Sequence, residues 1–187
     1  MGSLIGGRSH ERHAGAKLDA AGPVPPAAVA NAQPFWACAE PQMTELTLPF
    51  LGPDRSAWRY PSASPAGTGA RLAGGSDRPV STADPLEEIA AAVERVLPAP
   101  ARDGAPAAPP FLPGERLALA GPLQFFTAGS AHVNHLDGET GTIEPGKLAD
   151  LVVLAADPFG LPADQLPEAR VCCTIVGGEV AFGSGEV

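Results

Sequence analysis

One carboxylate, that of Asp77, stands where an acid could take part in catalysis. It follows a short apolar run, Ala70 to Ala73, which is typical of a buried strand, and then two glycines, Gly74 and Gly75. The local pattern by itself favours a plain turn, because an Asp beside glycine and proline most often serves turn chemistry. Which interpretation holds depends on the elements around this acid.

A helix is predicted shortly after it. Asp84 is an N-cap residue, Pro85 stands at the first helical position, and Glu87 lies three residues after the cap. A strand, a glycine-rich end with one acid, a loop and a helix together make a βα unit. Catalytic groups of a (β/α)₈ barrel lie at the C-terminal ends of its strands, and Asp77 would lie at such an end.

The predicted helix has an apolar stripe and a charged face. The stripe is formed by Leu86, Ile89, Val93 and Leu97. The charged face is formed by Glu87, Glu88, Glu94 and Arg95. A charged face opposite an apolar stripe is most simply solvated, so we expect these four side chains to be exposed.

Histidines occur in two pairs that could hold a metal ion. His10 and His13 are three residues apart, and so are His132 and His135. A helical turn would place both rings of a pair on one side. A solvated loop is the favoured interpretation for the first pair. Packing or a surface position is favoured for the second, because no acid or cysteine accompanies it at ligand spacing.

The cysteines predict a reducing, cytoplasmic compartment. Cys38, Cys172 and Cys173 are odd in number, two of them are adjacent, and no Cys-x-x-Cys spacing is present. Cys172 and Cys173 lie in an apolar strand pattern, where a free thiol behaves as a small hydrophobic residue.

Composition bounds the class of protein. The chain has 187 residues, 44% of them hydrophobic, which suits one domain or one domain with an appendage. A net charge of −9 argues against nucleic acid and against an anionic membrane as partners, because both require a basic surface. We expect no signal peptide and no membrane span, since the N-terminus lacks a basic region and no apolar run approaches ~20 residues.

Three regions follow from the distribution of glycine, proline and apolar residues. Residues 1–26 are weakly patterned and predicted to be poorly ordered. Residues 27–136 hold strands and helices around a Pro-rich loop at 98–110, which is predicted to be mobile. Residues 137–187 are predicted to form a small antiparallel sheet.

Several elements are predicted within these regions. A second helix is expected from Leu119 to His132, with Pro122 awkwardly placed in its first turns. Val171–Val176 and Glu179–Phe182 flank two glycines and predict a β-hairpin. Pro61–Thr68 has the composition of a loop.

The motifs taken together resemble a known family. They are Gly75-Ser-Asp-x-Pro-Val-Ser81 with Asp84-Pro-Leu86, Thr127-Ala-Gly-Ser-Ala131, and Gly141-Thr-Ile-Glu-x-Gly-Lys-Leu-Ala-Asp-Leu-Val-Val-Leu154. This combination resembles the amidohydrolase superfamily, and within it the branch of N-substituted formamide deformylases and related metal-dependent hydrolases. The resemblance covers residues 29 to about 183.

The resemblance implies an incomplete α/β fold. Family members have a metal-bearing (β/α)₈ barrel and a small composite β-sandwich. The segments matched here are the last two βα units of the barrel and the C-terminal part of the sandwich. Val29–Gln33 would then be the seventh barrel strand and Ala70–Ala73 the eighth.

The resemblance also implies a chemistry: hydrolysis of non-peptide carbon–nitrogen bonds in a small amide-like substrate by metal-activated water, with zinc as the metal. Asp77 corresponds to the acid at the end of the eighth strand, which lies beside the metal. That acid takes a proton from the attacking water and passes it to the leaving nitrogen. His13 corresponds to the histidine at the sixth strand and, with Asp77, would be a metal ligand.

The remaining family ligands have no counterpart. The His-x-His pair, the bridging ligand and the histidine after the fifth strand belong to strands that this sequence does not contain. A zinc site normally needs at least three protein ligands, and the resemblance supplies Asp77 and His13. We therefore expect the chain alone to be inactive. The alternative is a non-catalytic fragment or interaction module that needs a partner chain to complete the barrel.

Overall fold

A computed structural model describes residues 3–5 and 28–183. Its N-terminal part is built on a three-stranded sheet of order β1 (Ser3–Ile5), β2 (Val29–Ala32) and β3 (Arg71–Gly74). The strands predicted as seventh and eighth are β2 and β3, and they pair in parallel from Val29 opposite Arg71 onward. The first strand, β1, pairs antiparallel with β2 and was not predicted. Within the described residues β3 is an edge strand.

The connection from β2 to β3 is helical. It contains a 3₁₀ turn at Pro34–Ala37 and the helices α1 (Pro41–Leu46), α2 (Leu48–Ser56) and α3 (Ala63–Gly67). The prediction of a loop at Pro61–Thr68 is wrong, because α3 lies within it. The Glu115 carboxylate accepts hydrogen bonds from the backbone N–H groups of Ser62 and Ser64, at 2.8 and 2.9 Å, and so caps this short helix from a distant part of the chain.

Helix α4 (Pro85–Glu94) begins as predicted, with the Leu86 N–H donating to Asp84 Oδ1 at 2.8 Å. The prediction that its charged face is solvated is wrong for two residues, since Glu88 and Arg95 are both 0% exposed. Both find hydrogen-bond partners in other segments, although Nη2 of Arg95 has none among the described residues. Helix α4 is enclosed by the Pro34–Ala37 turn, by α5 and by a 3₁₀ segment at Ala163–Glu168.

The second predicted helix is confirmed. It runs through α5 (Ala120–Gln124), a π-helical turn at Phe125–Gly129 and α6 (Ser130–Val133). Pro122 is tolerated because the first-turn N–H groups of a helix have no intrahelical acceptor.

This helix packs very closely on β3. A Cβ at Gly129 would collide with the carbonyl oxygen of Leu72, and a Cβ at Gly74 would come 2.8 Å from the Phe126 ring. Ser130 Oγ lies 2.9 Å from the Gly74 carbonyl oxygen and 2.7 Å from the Phe125 carbonyl oxygen, so it bridges the strand and its own helix. The Thr127–Ala131 motif therefore serves to seat the helix against the strand that leads to Asp77.

The C-terminal sheet has the predicted antiparallel form. Its order is β4 (Leu151–Leu154), β5 (Val171–Val176) and β6 (Glu179–Gly183), and the hairpin of β5 and β6 turns at the two glycines. Cys173 is buried, as predicted, whereas Cys172 is only half-buried. Exposed apolar side chains on this sheet are Val152, Val176, Val180 and Phe182.

The remaining predictions concern the less regular segments. Residues 98–110 contain one short 3₁₀ helix at Ala99–Arg102 and no other regular element, and their mobility stays a prediction. His10, His13 and the rest of residues 6–27 lie outside the described residues. In the ranges 3–5 and 28–183, no helix has the length and apolar character needed to cross a lipid bilayer.

Candidate active site

Asp77 lies just beyond the C-terminal end of β3. Gly75 continues the parallel pairing, because its N–H donates to the Ala32 carbonyl at 3.0 Å. The chain then turns: Asp77 has a left-handed backbone with φ of 59°, and the Val80 N–H donates to its carbonyl at 2.9 Å. The Asp77 side chain is exposed and is not used to cap α4, whose cap is Asp84. The Asp77 carboxylate is therefore not needed to cap helix α4.

A cavity of about 210 Å³ lies at this end of the sheet. It is lined by Gln33, Trp36, Gln42, Tyr60 and Asp77. Gln33 directly follows β2 and Asp77 follows β3, so residues after both parallel strands meet there. The concavity lies where α/β folds place their ligands, outside the carboxyl ends of parallel strands.

The walls of the cavity combine rings, amides and one acid. Trp36 and Tyr60 supply aromatic surface, and Gln33 and Gln42 supply amide groups that can donate or accept hydrogen bonds. The Arg59 guanidinium stacks 4.6 Å from the centre of the Tyr60 ring and donates to its hydroxyl at 3.2 Å. Such a cavity suits a small polar molecule, and among the described lining residues Asp77 is the carboxylate able to exchange a proton with it.

Arg95, which is buried, hydrogen-bonds the backbone of the cavity-lining residue Tyr60. Its Nη1 donates to the Tyr60 carbonyl and its Nε to the Phe111 carbonyl, both at 2.9 Å. Burial lowers the pKa of this guanidinium from its ordinary high value. Sequence reasoning placed Arg95 on a solvated face and so missed a residue that supports the wall of the cavity.

Glu88 ties the two loops of the site together. Its Oε2 accepts from the Phe35 N–H at 2.8 Å, and its Oε1 lies 3.3 Å from Ser81 Oγ. Phe35 belongs to the turn after β2, and Ser81 to the loop that carries Asp77. Burial raises the pKa of Glu88 to about 7, although the hydrogen bond from the Phe35 N–H opposes this rise. This residue was also missed.

Cys38 is not placed to act as a nucleophile. It is fully buried, and burial raises the pKa of its thiol to about 12. Because the thiolate is the nucleophilic form, Cys38 serves as a core residue.

The described residues do not fit a complete metal centre. Residues 28–183 hold no group of three or more histidine, cysteine, aspartate or glutamate side chains placed to share an ion. Asp77 is the one such residue on the cavity wall, and its predicted companion His13 lies outside the described residues. His132 is half-buried and pairs with Asp137, Nδ1 to Oδ2 at 2.8 Å, so the expectation that no acid accompanies this pair is wrong. His135 is exposed, in line with a surface position.

The chain is similar in sequence to parts of known proteins. The chain is 32% identical over 123 residues to N-substituted formamide deformylase of Arthrobacter pascens, a match that covers 66% of the chain and 21% of that protein. It is 35% identical over 113 residues to protein LONG AFTER FAR-RED 3 of Arabidopsis thaliana, with 60% and 18% covered. The chain thus spans about a fifth of the length of these curated relatives.

A solved structure has a similar fold over the same kind of partial match. An uncharacterised metal-dependent hydrolase from Pyrococcus furiosus superposes with a TM-score of 0.54 at 27% identity, over 70% of this chain and 24% of that one. The family model described as "Amidohydrolase family" matches residues 11–182. A match over most of the sequence, together with an acid at the end of a parallel strand, shows that the chain belongs to the amidohydrolase family.

Proposed function

We propose that this chain supplies the Asp77 side of the active site of a hydrolase that acts on non-peptide carbon–nitrogen bonds in small amide-like molecules. Asp77 takes a proton from the attacking water and passes it to the leaving nitrogen. The observation that carries this proposal is the position of Asp77, at the C-terminal end of β3 on the wall of a 210 Å³ cavity. The name of the Arthrobacter pascens relative supports the bond type.

The proposal assigns binding roles to the other cavity residues. Gln33 and Gln42 hydrogen-bond an amide-like group, since a primary amide can both donate and accept. Trp36 and Tyr60 cover the apolar part of the substrate, and the Arg59 contact keeps the Tyr60 ring in place. Zinc is the metal that we propose for the complete site, and its further ligands would come from outside the described residues.

A graft into a relative tests the role of Asp77. Residues 29–183 of this chain would replace the matched segment of N-substituted formamide deformylase, and hydrolysis would be measured with and without Asp77→Asn. An active graft that loses at least ~100-fold in kcat with the substitution supports the proposal. An active graft that is indifferent to the substitution contradicts it. Asp84→Asn is the matched control, because it alters a helix cap rather than the cavity.

The second candidate is a non-catalytic module whose sheet is completed by a partner chain. It is supported by the edge position of β3 within the described residues and by a cavity of about 440 Å³ that lies against Ala70, Arg71 and Leu72. An edge strand offers unpaired backbone groups to a further strand. The graft separates the two candidates, since only the hydrolase proposal requires the Asp77 carboxylate for turnover.

The metal content of the purified chain is a further prediction of the hydrolase proposal. We expect much less than one zinc ion per chain after dialysis against a weak chelator, because the sequence lacks the His-x-His pair and the bridging ligand that the family resemblance calls for. Plasma emission spectroscopy measures this directly. About one tightly held zinc ion per chain would contradict the prediction and would assign His10, His13 and Asp77 as ligands.

A further inference from the structure

Glu88 is a buried carboxyl group with other acids near it and no basic partner among the described residues. It is 0% exposed, and within residues 28–183 no lysine or arginine forms an ion pair with it. Glu87 on its own helix and Asp77 in the loop beyond β3 both disfavour its ionisation. The packed segment at Ala163–Glu168 carries two further acids, Asp164 and Glu168, both exposed, and the Pro34–Ala37 turn carries no charge.

The other titratable group near it is a neutral thiol. Glu88 raises the pKa of Cys38, whose thiol is kept protonated chiefly by its own burial. The buried cation of α4, Arg95, is engaged by the carbonyls of Tyr60 and Phe111. Nothing in the described surroundings therefore compensates a negative charge on Glu88 except hydrogen bonds.

The hydrogen bonds themselves point to one protonation state. Ser81 Oγ contacts the Ser76 carbonyl oxygen and lies 3.3 Å from Glu88 Oε1. A hydroxyl has one proton and two lone pairs, so Ser81 cannot donate to both oxygens. The Ser76 carbonyl can only accept and is the nearer of the two oxygens, whereas a carboxyl oxygen can itself carry a proton. All three groups are satisfied only when the Ser81 proton goes to the Ser76 carbonyl. Oε1 of Glu88 is then left facing a hydroxyl oxygen, and this contact is favourable only if Oε1 carries a proton.

We propose that Glu88 is a positioning residue that holds the Asp77 loop as a neutral acid: its carboxyl O–H donates to Ser81 Oγ, and the Ser81 hydroxyl donates to the Ser76 carbonyl. The residue after Ser76 is Asp77, so the chain of hydrogen bonds ends at the peptide that aims the proposed catalytic acid. The other carboxyl oxygen accepts from the Phe35 N–H and fixes the loop after β2. Only the catalytic consequence of this arrangement rests on the proposed function.

Because Glu88 must be protonated to donate to Ser81, its contribution to the stability of the fold depends on pH. Burial raises the pKa of Glu88 from 4.5 to about 7 in the folded protein. The stability that the neutral acid contributes is thus fully present below pH 4.5, and it is lost as the pH rises through about 7. Above that pH two acceptors, Oε1 and the Ser76 carbonyl, compete for the one Ser81 proton.

Glu88→Gln mimics the neutral acid, because its amide N–H donates to Ser81 while its carbonyl oxygen accepts from Phe35. We expect this variant to keep its melting temperature between pH 5 and pH 8, whereas the parent chain melts at a lower temperature at pH 8 than the variant does. Glu88→Ala, which supplies neither group, should melt below both at every pH. Glu88→Gln as unstable as Glu88→Ala would overturn the proposal.

A second measurement does not depend on comparing variants for stability. With glutamate carboxyl carbons labelled with ¹³C, nuclear magnetic resonance should show one group titrating near pH 7 in the parent chain and missing in Glu88→Gln. Titration of every glutamate near pH 4.5 would refute the proposal. Neither readout involves turnover, so the proposed function can fail in the graft while this titration stands, and the reverse also holds.

Discussion

Asp77 has a left-handed backbone, and this decides which substitution tests its carboxylate cleanly. With φ of 59°, the position suits Asn, which tolerates this region, and penalises Ala by about 1 kcal/mol. We expect Asp77→Asn to change the free energy of unfolding by less than ~0.5 kcal/mol, since the exposed carboxylate caps nothing. Chemical denaturation measures both variants. A loss of ~2 kcal/mol in Asp77→Asn, together with no loss of rate in the active graft, would make Asp77 a turn residue rather than a catalytic one.

Arg95 is the residue whose removal should cost most among the charged ones described. Its loss leaves two partly buried carbonyls, those of Tyr60 and Phe111, without this donor, and it opens a cavity where the buried side chain stood. We expect Arg95→Ala to lower the free energy of unfolding by about 2–4 kcal/mol. Arg55→Ala is the matched control, because Arg55 is exposed on α2. Equal effects of the two substitutions in urea denaturation would show that the buried contacts contribute little.

At the scale of elements, the contact between the second helix and β3 leaves no room for a side chain. Gly129→Ala would drive a methyl group into the Leu72 carbonyl, so we expect a loss of about 2–3 kcal/mol in stability and a lower melting temperature. Gly114→Ala is the control, since a Cβ there meets open space and the backbone is not left-handed. A neutral Gly129→Ala would mean that the helix can move off the strand at little cost.

Sequence reasoning succeeded for elements whose signals are local. The Asp84 cap lies two residues from its partner N–H, and the hairpin is specified by two glycines between β-branched runs. It failed where the partner is remote: Glu88 bonds Phe35, 53 residues away, and Arg95 bonds Tyr60, 35 residues away. A charged residue on an amphipathic helix looks solvated until the segment that encloses it is known.

The same contrast holds for the candidate site. Asp77 was singled out from its place after a strand and from the family motif, whereas the cavity walls at Gln42 and Tyr60 come from a connection that carries no periodic signal. Helix α3 was missed because its cap, Glu115, is 51 residues from Ser64. Side chains that act through distant backbone groups leave no pattern in a single sequence.

At the scale of the whole molecule, residues 28–183 are expected to open first in their Pro-rich segment, alongside the weakly patterned residues 1–26. Limited trypsin digestion should cut after Arg102, in the weakly structured residues 98–110, before it cuts after Lys147. Lys147 is held by the Asp137 carbonyl at 2.8 Å and by Thr142 Oγ1 at 2.5 Å. Mass spectrometry of the first fragments identifies the site. Early cleavage at Lys147 with Arg102 intact would contradict the predicted mobility.

The Phe35 N–H donates to Glu88, so the hydrogen-exchange rate of this one amide reports on the contact between the turn after β2 and helix α4. Its exchange with deuterated solvent requires the turn after β2 to part from α4, and the same acid faces the loop that carries Asp77. A small molecule that closes the cavity would slow this exchange, and a substitution that loosens either loop would quicken it. The exchange rate of the Phe35 amide, which lies outside the cavity, therefore measures how stably Glu88 joins the turn after β2 to the loop that carries Asp77.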